Sequence, residues 1–258
     1  MREVLEKVVI TRGINYPIRY FYKDCVLSEK ERMFYETAAK GILDEDSEKA
    51  MAARLWDLQR IVDGSSEYMN KDLYSELKLL IETLKEIIDR GEGVLIYTEL
   101  EDTYRFIGDA IESYQGYLGY SQLYYITGKT PYEKRVECEK RLKRKDIVIV
   151  TRAGSSSINL QAVNNVVFYD LPFAISSLIQ MVGRVARTDS VYKNQNVYVL
   201  EVKETIDTYK RLLLQSYMTL IQSIFGEDST LPYYGDIDKD VVQKYRQYFK
   251  NKMLWCRT

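Results

Sequence analysis

The sequence predicts an α/β fold: a parallel sheet with helices on both faces, preceded by a helical N-terminal section. Two patterns carry this expectation. From Val94 onward, short apolar β-rich runs alternate with helical stretches, as expected of parallel strands joined by crossover helices. Before Val94, apolar residues recur at helical spacing, most clearly at Leu73, Leu77, Leu80, Ile81, Leu84, Ile87 and Ile88. The chain has 258 residues, 46% hydrophobic and 29% charged, enough for one large core or one core with an appendage.

Tyr16 to Val26 alternates with aromatic residues and reads as a strand. Ser28 and Glu31 form a capping-box pattern, so a helix is expected from there to Lys40, ended by Gly41. A second helix spans Glu48–Val62, and Asp63-Gly64-Ser65-Ser66 breaks it. The third helix runs over Asp72–Asp89 and stops at Arg90-Gly91. Strands follow at Val94–Thr98, Leu123–Thr127, Ile147–Thr151, Val166–Tyr169 and Val197–Val202. Helices fit at Glu101–Tyr114, Pro131–Arg144, Ser176–Arg187 and Glu204–Phe225, with a last one near Asp238–Lys250. At Thr130-Pro131 the threonine is expected to cap, with Pro131 in the first turn and Glu133 completing the box. A boundary near Gly91 divides a mostly helical 1–90 from an α/β core over 91–225, with 226–258 as a C-terminal helical extension.

Composition excludes several chemistries. The chain has no histidine, so histidine acid–base catalysis and histidine-ligated metals are out. Cys25, Cys138 and Cys256 show no Cys-x-x-Cys spacing, so no zinc site and no metal-ligating residue is expected. Sparse cysteines fit a reducing compartment, and no apolar run reaches membrane-spanning length, so a cytoplasmic location is expected. A net charge of −1 means that any nucleic-acid contact must come from a local patch. The basic run Lys134–Lys145 reads first as a solvated helix face and second as part of such a track.

Gln180-Met181-Val182-Gly183-Arg184-Val185-Ala186-Arg187 is the densest cluster of chemistry. Arg184 and Arg187 are three apart, hence on one helix face, and paired guanidiniums suit phosphate oxygens. The same spacing also fits an ordinary solvated face. Context decides between them. The octapeptide resembles motif VI of superfamily 2 helicases, Q-x-x-G-R-x-x-R. Thr151-Arg152-Ala153-Gly154-Ser155-Ser156-Ser157-Ile158-Asn159-Leu160, directly after a strand, resembles motif V of the Snf2-like group. Val166–Pro172 resembles that group's strand ending in Y-D-x-P, Val94–Thr98 its motif IV, and Ile126-Thr127-Gly128 its strand-end Thr-Gly. Thr205-Ile206-Asp207 is similar to its late T-I-E segment. Upstream, Val26–Tyr35 resembles the helix opening after the group's first lobe, and the short spacing that follows implies a minimal bacterial or phage-type enzyme.

The resemblance implies a C-terminal RecA-like lobe of an ATP-dependent DNA helicase or translocase. ATP and magnesium would then sit between two lobes, bound mainly by an N-terminal RecA-like lobe supplied in cis or in trans. Arg184 and Arg187 would act as arginine fingers, with Gln180 coupling the site to motion. Gly154, Gly183 and Asn159 would lie at the cofactor; Thr98, Thr127, Gly128, Thr151, Arg152 and Ser155 would meet the nucleic acid, expected to be duplex DNA, with RNA as the other possibility. The serines of motif V have a second reading as plain helix caps, and they replace two glycines of the family pattern. Gly128-Lys129-Thr130 is not a phosphate-binding loop, because the required first glycine falls on Leu123 within a strand. The chain alone is therefore expected not to hydrolyse ATP. The alternative is a non-enzymatic, helicase-like module that binds DNA or protein.

Overall fold

The computed structural model describes residues 5–7, 18–43, 48–64, 74–155, 158, 160, 162–185, 192, 194–214 and 247. Its centre is one sheet in the order β1-β2-β7-β6-β3-β5-β4. The strands are β1 (Leu5–Lys7), β2 (Ile18–Cys25), β3 (Val94–Thr98), β4 (Leu123–Ile126), β5 (Ile147–Thr151), β6 (Asn165–Phe168) and β7 (Gln195–Val202). Every pairing from β2 to β4 is parallel; only the short β1 runs antiparallel, against β2. The expected parallel sheet is therefore present.

The inner strands β3 and β5 are buried along their whole length, which explains their unbroken apolar sequences VLIYT and IVIVT. Alternate residues feed two cores. Leu95, Tyr97, Val148, Val150, Val166 and Phe168 meet α6 (Tyr132–Arg141) and α7 (Ile175–Val185) on one face. Val94, Ile96, Ile147, Ile149, Val167 and Tyr169 meet α3 (Ser75–Asp89), α4 (Thr103–Ser113) and α5 (Gln115–Leu118) on the other. The α3 stripe of Leu77, Leu80, Ile81, Leu84, Ile87 and Ile88 is almost wholly enclosed. Each such side chain contributes about 1.5–3 kcal/mol of burial, so this face anchors α3 to the sheet. Gly91, at φ 75°, makes the turn from α3 into β3, a left-handed conformation that glycine adopts without strain.

A third core lies beyond the carboxyl end of β7. There Leu27, Tyr35, Leu55, Leu58 and Val62 of α1 (Glu29–Leu43), α2 (Glu48–Val62) and the preceding turn pack on Phe173, Val202 and Ile206. The helix over 206–214 adds Tyr209 and Leu213.

Several local expectations are met and others corrected. The capping box at Ser28 forms: Ser28 N donates to Glu31 Oε2 at 2.7 Å, and Glu31 N donates to Ser28 Oγ at 3.4 Å. Glu31 also accepts from Ser75 N at 2.9 Å and Ser75 Oγ at 2.6 Å, joining the starts of α1 and α3. Burial opposes ionisation of Glu31, but the hydrogen bonds from Ser28 and Ser75 outweigh it and hold the carboxyl below its usual range. Helix α1 does not stop at Gly41; it continues to Leu43. The cap at Thr130 is not made either. Pro131 precedes α6 without a side-chain cap, because Thr130 Oγ1 accepts from Thr127 N at 2.9 Å instead. Helix α6 ends at Arg141, three residues short of its expected end at Arg144, and Lys145 turns at φ 64°. The expected helix near Asp238–Lys250, apart from the helical Gln247, and the later part of Glu204–Phe225 lie outside the described residues.

Between the third core and the sheet sits a buried polar layer. Gln59 Nε2 donates to Asp63 Oδ1 at 2.6 Å and to Asp207 Oδ1 at 3.0 Å. Thr103 Oγ1 donates to Asp63 Oδ2 at 3.2 Å, and Tyr169 donates its hydroxyl proton to Asp63 O at 2.8 Å. Lys210, fully buried, stands over the Phe173 ring at 4.5 Å, and its Nζ makes no hydrogen bond. Among the described residues, neither carboxylate oxygen of the buried Glu76 has a hydrogen-bond partner. Asp63, Asp170 and Asp207 thus share the field of one ammonium, with Glu76 beside them. Burial raises all four carboxyls: Asp170 to about 7, Asp63 and Glu76 well above the usual range, and Asp207 in the same direction. Lys210 pulls Asp170, Asp207 and Asp63 back, while the neighbouring acids push Asp63 and Glu76 further up.

Candidate functional site

Parallel strands put all their carboxyl ends on one side, where ligands of open α/β sheets bind. The loops there hold most of the residues singled out from the sequence. Thr151 ends β5, and the chain turns through Arg152–Gly154 in a single 3-10 turn. Gly154 is required sterically: a Cβ there would stand 2.2 Å from Ile126 O and 2.6 Å from Ile126 C. The turn after β5 therefore lies against the end of β4. Gly128 makes the matching contact, where a Cβ would come 2.8 Å from the Ala153 side chain.

Arg135 locks the two turns together. From α6, and almost enclosed, it donates to Thr130 O at 2.8 Å, Thr127 O at 3.0 Å and Gly154 O at 3.1 Å. Charge-assisted bonds of this kind contribute about 1.5–3 kcal/mol each. From the sequence Arg135 was one member of a basic run. Its inward position follows from helix phase, with the buried Cys138 three residues on.

The donors of these turns are largely turned inward. Gly154 N, expected to face a phosphate, donates to Thr151 Oγ1 at 3.3 Å. Ser155 Oγ donates to Arg152 O at 2.7 Å, and Gly128 N donates to Glu101 Oε1 at 3.2 Å. Thr98 and Thr151 have 0% relative exposure, so both side chains brace the site rather than face a ligand. Thr98 Oγ1 donates to Asp170 Oδ2 at 3.5 Å, and Thr127 Oγ1 accepts from Lys129 N at 3.2 Å. Arg152 is the outward-facing cation of the group, 42% exposed, and its Nη1 reaches Glu99 Oε2 at 3.5 Å. Glu99 is buried, fixed by the Tyr97 hydroxyl, and its backbone N donates to Asp170 Oδ1 at 2.8 Å.

On α7, Leu178, Met181 and Val182 are buried in the core, which turns Gln180 and Gly183 outward. Arg184 is half-buried beside them. The spacing 180, 183, 184 puts the three on one face, and among the described residues a Cβ at Gly183 would meet nothing within 4 Å. Arg184 Nη1 donates to Ile158 O at 3.5 Å, and Arg184 O accepts from Leu160 N at 3.3 Å. The segment leading out of the 152–154 turn is thereby tied to the end of α7. Arg187 and Asn159 lie outside the described residues, as do Ser156 and Ser157. An open face carrying a guanidinium fits the phosphates of ATP approaching from outside. Magnesium finds no ligand set here: among the described residues no group of three or more acids or cysteines is placed to hold a metal.

The buried acids were not anticipated as a group. Asp63 read as part of a chain break, although Gln59 and Asp63 stand four apart at the end of a helix and Asp207 lies in a late motif. That spacing is the one signal that was available.

Comparison with known proteins agrees with this architecture. The helicase conserved C-terminal domain family matches residues 77–189. The uncharacterized ATP-dependent helicase YqhH of Bacillus subtilis is 24% identical over 223 residues, covering 83% of this chain and 37% of its own length. The chain thus spans well under half of that relative. The C-terminal part of the Fun30 ATPase domain superposes with a TM-score of 0.66 at 17% identity, over 91% of this chain and 96% of that one. The Sulfolobus solfataricus SWI2/SNF2 ATPase core in complex with dsDNA superposes with a TM-score of 0.64 at 18% identity, over 81% of this chain and 46% of that one. Residues 77–189 thus match a helicase C-terminal domain family, and the chain shares the fold of the C-terminal part of SWI2/SNF2 ATPases.

Proposed function

We propose that this chain works as the second motor lobe of an ATP-dependent DNA helicase or translocase. The observation that carries this is the outward face of α7, where Gln180, Gly183 and Arg184 stand together and Arg184 is tied to the segment that follows β5. In this reading a first lobe, in cis or in trans, holds ATP and magnesium, and Arg184 and Arg187 reach across to the phosphates. Charge that develops on the transferring phosphoryl group is then met by guanidiniums already in place. Arg152, Gly128 and the turns locked by Arg135 form the side that meets the nucleic-acid backbone. The match to a DNA-bound SWI2/SNF2 core favours duplex DNA. The lobe by itself turns over no ATP.

The test is DNA-stimulated ATPase of this chain with and without an added first lobe. The mixture should hydrolyse ATP and the lobe alone should not. In the active mixture, Arg184→Ala and Arg187→Ala should each lower turnover about a thousandfold or more. Unchanged turnover in both variants would remove the arginine-finger role.

A further inference from the structure

A cleft of about 530 Å³ opens at the free edge of the sheet, between β4, the turn after it, and α6. One wall is a single face of α6: Lys134, Glu137, Cys138 and Arg141 recur at helical spacing and all line it. Tyr124 of β4 and Lys129 of the turn stand on the other sides. Glu137 and Arg141 neutralise one another across 2.7 Å, while no ion pair found among the described residues involves the exposed Lys129 or Lys134. The cleft is therefore cationic in a chain whose net charge is −1. It is also continuous with the candidate site, because Thr127 and Thr130 line it and Arg135 binds the carbonyls of both.

We propose that this cleft binds the phosphodiester backbone of a nucleic-acid strand, through Lys129 and Lys134, which extend the contact expected at Thr127 along α6. The inference rests on the nucleic-acid reading above and names a site for it. The α6 wall from Lys134 to Arg141 is seven residues long, about 10 Å, comparable with the axial rise of about three nucleotides at about 3.4 Å each; of its charges, Lys134 is the one not offset by a carboxylate among the described residues. Lys129 extends the row towards Gly128 at the carboxyl end of β4. Two lysines without carboxylate partners keep their full charge for phosphates, and each phosphate neutralised releases counterions. Contacts to phosphates carry no sequence information, so the binding is insensitive to sequence.

The experiment measures binding of 20-nucleotide single-stranded and duplex DNA, by fluorescence anisotropy across a salt series, to this chain alone and mixed with a first lobe. The double variant Lys129→Gln/Lys134→Gln is compared with Lys30→Gln/Lys78→Gln, which removes two exposed lysines from α1 and α3. The cleft variant should bind roughly tenfold more weakly at 0.1 M salt, and its log–log salt slope should fall by about 2, for any sequence. The arm that shows the larger loss tells whether the strand is held single or within duplex. All four substitutions are on exposed side chains, and an unchanged melting temperature confirms that each variant is folded. Equal affinity and slope in the cleft variant and the wild type, or an equal loss in the control, overturns the cleft while leaving the motor-lobe reading intact. No binding by the wild-type chain, alone or with a first lobe, overturns both.

Discussion

Raising the pH from 5 to 8 should destabilise this protein, opposite to the trend set by carboxylates held in salt bridges. The cause is the layer of Asp63, Glu76, Asp170 and Asp207 around Lys210. Burial lifts the Asp170 carboxyl from 3.8 to about 7, with Lys210 opposing the rise and Glu99 adding to it. A carboxyl whose folded value is raised binds its proton in the folded state while the unfolded chain has already lost it. Its stabilising contribution is complete below the unfolded value, and it is lost as pH rises towards the folded one. The window for Asp170 thus runs from about 4 to about 7. At about 1.4 kcal/mol per pH unit, the full change is roughly 4 kcal/mol, of which roughly 3 kcal/mol falls between pH 5 and 8. Asp63, Glu76 and Asp207 shift in the same direction and steepen the loss. Urea unfolding followed by circular dichroism at closely spaced pH values reads this directly. The midpoint should fall steadily towards pH 8, and Asp170→Asn, which keeps an acceptor for Glu99 N, should flatten the curve. A midpoint that stays level or rises from pH 5 to 8 would refute the assignment of protons to this layer.

Two further outcomes follow from the same coordinates. Gly154→Ala puts a Cβ 2.2 Å from Ile126 O, so the turn after β5 or the end of β4 must move, at a cost of about 1–3 kcal/mol. A melting temperature equal to that of the wild type would show that the two turns are not in contact. Glu76→Leu removes a buried carboxyl whose two oxygens have no hydrogen-bond partner, and should stabilise the fold by about 1–3 kcal/mol at pH 8. A destabilised Glu76→Leu protein in urea would mean that this carboxyl is satisfied in solution.

The alternation of strands and helices from Val94 onward was readable because both periods are local: each apolar run reports its own burial. The pairing of β2 was not. Its alternating aromatic residues announce a strand, but its partner β7 begins 170 residues after the strand ends, and nothing local names it. Motif residues were found by type and order, and their directions were not. A threonine at a strand end reads the same whether it faces a ligand or, like Thr98 and Thr151, braces its neighbours. Arg135 shows the same limit. Its role depends on carbonyls of two other turns, and one guanidinium in a basic helix carries no mark of being the inward one. The acid layer escaped for a related reason. Its members come from the residue after α2, from α3, from the turn after β6 and from the helix over 206–214, so only the folded chain brings them together.

The order of the strands has a consequence for how such a lobe behaves as a separate body. An open sheet has two free edges, each a template for pairing with another chain. Here one edge is a strand of three residues that reverses against β2, and the other is the four-residue β4, walled by the charged face of α6. Neither offers a long flat row of unpaired amides. The fully buried apolar strands that would aggregate most readily, β3 and β5, are kept to the interior of the sheet. Among the described residues, this order guards the sheet against edge-to-edge self-association and leaves the loops at the carboxyl ends of the strands clear of its edges.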